Sequence, residues 1–157
     1  MLARPLILGL ALALGAGGAR AQGPAPFETI SVDQASIFLQ DNNYPAEVIT
    51  NADRSRSLRT KVANLTTLVN FYGCDAGEQC RSLQLRAYFS NPRKRGLEFA
   101  NRWNRTKRFV KLYVETDRTI AAEMDIVVEG GVGRRNLLAG LDLYATLLKE
   151  FRDEYAR

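Results

Sequence analysis

The chain has 157 residues, 46% of them apolar, with 22 Lys and Arg against 17 Asp and Glu for a formal charge of +5. That suits one domain with a real core, and the balance is too weakly basic to point to nucleic acid. Histidine is absent, which removes the commonest general base and transition-metal ligand and excludes a Ser-His-Asp or Cys-His arrangement within this chain.

Arg4 precedes an apolar run over residues 6–14, and Ala19 and Ala21 stand three and one before a cut at Gln22. The run is too short to span a bilayer, so residues 1–21 read as a cleaved secretory leader rather than an anchor. No cysteine follows it, which argues against a lipoprotein. Cleavage would take away Arg4 and Arg20 and lower the formal charge to +3. The expected location is the periplasm or the medium, with no stable membrane anchor and no nucleic-acid partner. Residues 22–29, with Gly23, Pro24 and Pro26, form a flexible lead-in to a domain over residues 30–157.

Ser31 and Gln34 have the spacing of a capping box, and Val32, Ala35, Phe38 and Leu39 follow at helical spacing to about Asp41. Tyr44 and Pro45 make a turn, and residues 46–50 read as a short strand. Residues 51–56 are polar and turn-like. Residues 60–72 read as one β-prone run, with Ala63, Leu65, Thr67, Val69 and Phe71 on one face. Residues 81–89 alternate cleanly, with Leu83, Leu85, Ala87 and Phe89 pointing one way. Between these strands lie Cys74 and Cys80, the two cysteines of the chain. In an exported protein such a pair reads as a disulfide, and the spacing suits neither a redox C-x-x-C motif nor a zinc site. Asp75, Gly77 and Glu78 make the enclosed loop turn-like. So small a loop is worth about 2–2.5 kcal/mol, enough to trim a hairpin tip but not to hold the domain.

Asn91 and Pro92 form a helix start, with Asn as N-cap and Pro at the first helical position, and the helix runs to about Asn104. Leu97, Phe99, Ala100 and Trp103 supply its apolar stripe. Residues 107–115 make the next strand, residues 116–118 a tight turn and residues 119–129 another strand. Ile120, Ala122, Met124, Ile126 and Val128 face the core there, with Glu123, Asp125 and Glu129 opposite. Glycines 130, 131 and 133 break the pattern. A final helix over residues 134–155 repeats Leu137, Leu141, Tyr144, Leu148, Phe151 and Tyr155 every three or four positions. The order α-β-β-β-α-β-β-α predicts an α+β fold, an antiparallel sheet with helices packed on one face.

The strongest surface feature is basic. Arg93, Lys94, Arg95, Arg102, Arg105, Lys107 and Arg108 face one acid, Glu98. They form either a site for an acidic protein or anionic headgroups, or a solvated helix face whose stems cover apolar surface. Arg54, Arg56, Arg59 and Lys61 make a weaker run. Glu123 and Asp125 share a strand face about 7 Å apart. They could do acid–base work or hold calcium, but the plainer expectation is that they face water or pair with Arg86 and Lys111 on neighbouring strands. Asn64 and Asn104 fit glycosylation acceptors, without meaning in a bacterial host.

The element order and several local strings resemble the YbjN family of bacterial proteins. The strings are Phe71-Tyr72-Gly73-Cys74 with Cys80-Arg81-Ser82-Leu83-Gln84, Asn101-Arg102-Trp103-Asn104 leading into Lys107-Arg108-Phe109, then Glu123-Met124-Asp125 and Gly130-Gly131-Val132. The resemblance implies a fold like that of type III secretion chaperones, which are commonly dimers that hold an extended client, so a homodimer and a polypeptide client are its implied partners. Members carry the label of sensory transduction regulators, with no catalytic motif to carry over. The chain departs from the family at Gly133-Arg134-Arg135, where two cations oppose the helix dipole, either as a tolerated mismatch or as a site for an anionic partner.

These readings predict a non-enzymatic, exported protein- or peptide-binding module with no cofactor and no metal. The alternative is a small-molecule or envelope-stress sensor, which needs a concave apolar pocket. An enzyme built on Glu123 and Asp125 is the third reading.

Overall fold

Ser31 accepts the Gln34 backbone N–H at 3.1 Å while the Gln34 side chain accepts the Ser31 N–H at 2.9 Å. This reciprocal cap starts α1 (Val32–Asp41). The computed structural model describes residues 25–76 and 78–157; the expected leader lies outside the described residues. After α1 come β1 (Glu47–Thr50), β2 (Arg56–Val62), β3 (Leu65–Tyr72) and β4 (Ser82–Phe89). Then follow α2 (Leu97–Thr106), β5 (Lys111–Val114), β6 (Ile120–Val127) and α3 (Arg134–Ala156).

The strands form one antiparallel sheet in the order β1-β2-β3-β4-β6-β5. The expected α+β class holds, with six strands where the sequence suggested five. The run over residues 60–72 is two strands, folded at Ala63 and Asn64 between paired Val62 and Leu65. Both turn residues take left-handed φ, 51° and 64°, as a two-residue hairpin turn requires.

The helix expected with Asn91 as its cap begins five residues later, at Leu97 after Gly96. Asn91 does cap, but its side chain closes a turn on Arg95, accepting that N–H and donating to that carbonyl, both at 2.8 Å. Arg93, Lys94 and Arg95 therefore sit on a turn before α2, and Leu97, expected in the core, is 69% exposed.

The core lies between the helices and one sheet face. Phe151 of α3 is its aromatic centre, 4.4 Å from Phe89, 5.9 Å from Trp103 and 6.1 Å from Phe99 between ring centroids. Two buried polar groups here are satisfied: the Trp103 indole donates to the Val110 carbonyl, and the Tyr144 hydroxyl to that of Ala122, each at 2.9 Å.

Two further contacts fix the N-terminal part of the domain. Phe27, expected within a flexible lead-in, is instead buried, exchanges two backbone hydrogen bonds with Val132 and meets Phe38 edge-on at 5.9 Å. Burial of its ring offsets part of the cost of ordering the chain. Cys74 and Cys80 form the disulfide. Cys80 is fully buried and exchanges backbone hydrogen bonds with Ile30, so the closed loop is joined to the start of α1.

Candidate functional site

The buried helix residues meet one side of the sheet, and among the described residues the other side is left uncovered. Strand register sets its outward side chains in rows. Glu47, Arg59, Leu68, Arg86, Glu123 and Lys111 stand abreast across all six strands. Asn70, Gln84 and Asp125 form the row beside them, and Tyr88, Ala121 and Tyr113 the row on the far side.

Glu123 is the hub of this face, with a side chain only 5% exposed. The Tyr113 hydroxyl donates to its Oε1 at 2.6 Å, and Lys111 Nζ lies 3.0 Å from Oε2. Arg86 Nε lies 3.0 Å from Oε1 but off the hydrogen-bonding direction, so that contact is an ion pair rather than a directed bond. Arg86 also pairs with Glu115, and its guanidinium lies 4.8 Å from the Tyr88 ring centroid and 5.5 Å from that of Tyr113. Asp125 accepts from Gln84 at 2.9 Å and lies 3.5 Å from Lys111. The expected pairing of the two carboxylates with Arg86 and Lys111 is present. With its oxygens so engaged, Glu123 is not poised to take a substrate proton.

The surroundings shift the partners. Burial, then the Glu123 carboxylate, pushes the Tyr113 phenol well above its ordinary range. Lys111 is raised chiefly by its hydrogen bond to Glu123. Burial works against the charge on Arg86, but Glu123 and its other neighbours outweigh it and raise its pKa.

The seven cations singled out from the sequence separate into three groups. Lys107 pairs with Glu150 at 2.6 Å and Arg102 approaches Glu154 at 3.8 Å, so both tie α2 to α3. Arg95 lies over Phe99 at 5.4 Å and Tyr155 at 5.9 Å. Arg108 covers the Phe109 ring at 4.7 Å. Arg93, Lys94 and Arg105 are exposed and take part in no ion pair among the described residues. Of the weaker run, Arg56 pairs with Asp33 and Arg59 with Glu47.

Besides the roles of Tyr113 and Glu115 in the network around Glu123, the sequence reading missed those of two other residues. Arg118, in the turn before β6, lines a groove of about 210 Å³ with Lys94, Arg95, Gly96, Leu97 and Val114. Asn104 has a role unrelated to glycosylation. From α2 it accepts the Leu112 N–H and donates to the Leu112 carbonyl, both at 2.8 Å, closing the edge of β5. A lone Arg in a turn and a lone Asn on a helix carry no local signal of either role.

The apolar pocket where α1 and α3 meet the sheet, lined by Phe38, Leu83 and Leu141 among others, holds about 20 Å³. That is one water's worth of space, far short of a ligand pocket. Among the described residues no group of three or more potential metal ligands occurs, and no helix is long and apolar enough to cross a membrane.

Fold and site thus define an open-faced α+β domain: three helices on one side of a six-stranded antiparallel sheet, and a tyrosine-flanked ionic network on the other. A sequence model of the YbjN family, described as "Putative bacterial sensory transduction regulator", matches residues 31–157, and the chain belongs to that family. Among solved structures it is similar to the crystal structure of YbjN, "a putative transcription regulator from E. coli". That likeness has 12% identity and a TM-score of 0.51, covers 77% of this chain and 92% of that one, and is one of fold. No curated protein matches the sequence.

Proposed function

We propose that this domain is exported, is not an enzyme, and works by binding another polypeptide, in keeping with the regulatory description of its family. The uncovered sheet face carries the reading. It presents Tyr72 and Tyr88, each nearly half exposed, with Tyr113 beside the ionic network. Aromatic side chains with a polar tip suit a protein interface. The two sheet edges also differ. Asn104 closes β5, while β1 is a terminal strand at which an extended segment could add.

The leader-like N-terminus and the Cys74–Cys80 disulfide support export, since disulfides persist in oxidising compartments. The 20 Å³ apolar pocket favours a polypeptide partner over a small molecule. The test is affinity capture of the tagged protein from its own host after crosslinking, with mass spectrometry of what co-purifies. The expected result is a reproducible polypeptide partner, lost in the variant carrying Tyr72→Glu and Tyr88→Glu. Recovery of the protein alone would overturn the reading.

A further inference from the structure

The groove at the start of α2 combines three features. It gathers Lys94, Arg95 and Arg118, and neither these three nor the adjacent Arg93 takes part in an ion pair among the described residues. This differs from Arg102 and Lys107, whose charges are spent on α3. The Arg95 Nε is enclosed with no hydrogen-bond partner. Helix α2 opens at Gly96 with no side-chain cap, unlike α1 with its Ser31. The acid of its first turn, Glu98, does not line the groove. Beside the cations lie Val114 and Leu97, the latter 69% exposed.

We propose that this groove docks an acidic segment of the bound polypeptide. A carboxylate of the partner sits between Lys94 and Arg118, in the place of the missing cap on α2, and an apolar neighbour of that carboxylate lies on Leu97 and Val114. Charge complementarity selects the acid, since unpaired cations and a helix N-terminus both favour an anion. The apolar shelf selects a mixed acidic-apolar chain over a bare anion. This inference rests on the polypeptide-binding reading and names its partner's chemistry.

The test is fluorescence anisotropy of a short labelled peptide alternating Glu and Leu, titrated with purified protein at low and high salt. The same peptide with Lys for Glu, and phosphatidylglycerol vesicles, serve as comparisons. The Glu/Leu peptide should bind, weaken with salt, and lose at least about tenfold in affinity when Lys94→Glu and Arg118→Glu are combined. Lys149→Glu, at an exposed cation on α3 away from both the groove and the sheet face, should leave binding within about twofold.

Gly96→Asp guards against a folding artefact. Nothing lies within 4 Å of a Cβ added at Gly96, so the aspartate can cap α2 from within, leaving the fold at least as stable while blocking the peptide. Equal binding of the Lys/Leu peptide, insensitivity to these substitutions, or binding of the vesicles alone would overturn the inference. A captured natural partner indifferent to Gly96→Asp would overturn the groove and leave the polypeptide reading standing. Capture of no polypeptide would overturn that reading itself.

Discussion

Replacing Glu123 by alanine removes the acid that Arg86, Lys111 and Tyr113 share. Breaking a fully buried ion pair from one side costs about 3–5 kcal/mol, because the partner charge is stranded. Here the stranded charges are not fully buried: the Arg86 and Lys111 side chains are 22% and 52% exposed. Each also keeps a second acid, Glu115 and Asp125. Discounting for that exposure leaves about 2–3 kcal/mol for Glu123→Ala. Glu123→Gln keeps an acceptor for the Tyr113 hydroxyl and fills the same space, but it strands the same cations and replaces one of the two acceptor oxygens with an NH2 donor, so it should recover only about 1 kcal/mol of that loss. Urea unfolding followed by the fluorescence of Trp103, the single and fully buried tryptophan, reads both values. Two variants indistinguishable from wild type, or from each other, would refute the reasoning that this carboxylate holds the open face together.

Three other outcomes follow from the same contacts. The Tyr113 and Lys111 pKa values are raised above 10.0 and 10.5, so their pairing stabilises the fold fully below about pH 10 and is lost as pH climbs through the raised values. Stability measured from pH 8 upward should therefore fall at the alkaline end, less steeply in Glu123→Ala; an identical slope in both proteins would contradict this. A free-thiol assay on unreduced protein should find none, and reduction should cost about 2 kcal/mol by loss of the closed loop. Gly131→Ala should destabilise by more than about 1 kcal/mol in thermal melts, because φ there is +99° and an added Cβ would lie 3.1 Å from Glu28 Oε1.

Local chemistry made much of the fold readable. The Ser31–Gln34 box, the alternation of β4 and the spacing of Leu137, Leu141, Tyr144 and Phe151 each state their structure within one element. The errors arose where a local signal was satisfied by something else. Asn91 followed by Pro92 is a strong start signal, yet the Asn91 side chain is used up on Arg95 and α2 waits for Gly96. At Ala63 and Asn64 the chain reverses and the core-facing positions switch from Leu58, Thr60 and Val62 to Leu65, Thr67 and Val69, but alanine is an unusual residue for a left-handed turn position and hides the break. In β6, Ala121 and Glu123 are as buried as the core-facing residues beside them, because Tyr113, Arg86 and Lys111 crowd the outer face around Glu123. The pairing of Glu123 and Asp125 with Arg86 and Lys111 was legible from strand register; the added roles of Glu115 and Tyr113 were not. The basic run was legible as charge alone. Which cations are neutralised depends on Glu150 and Glu154, more than forty positions away in α3.

The central claim is that the uncovered sheet face binds a polypeptide. Its most direct test is a photo-crosslinking residue placed at Tyr88 on that face, and separately at Lys149 on the exposed side of α3, in protein expressed in its own host. The account predicts a discrete crosslinked polypeptide from position 88 and none from position 149. Equal products from both positions, or none from position 88, would contradict it.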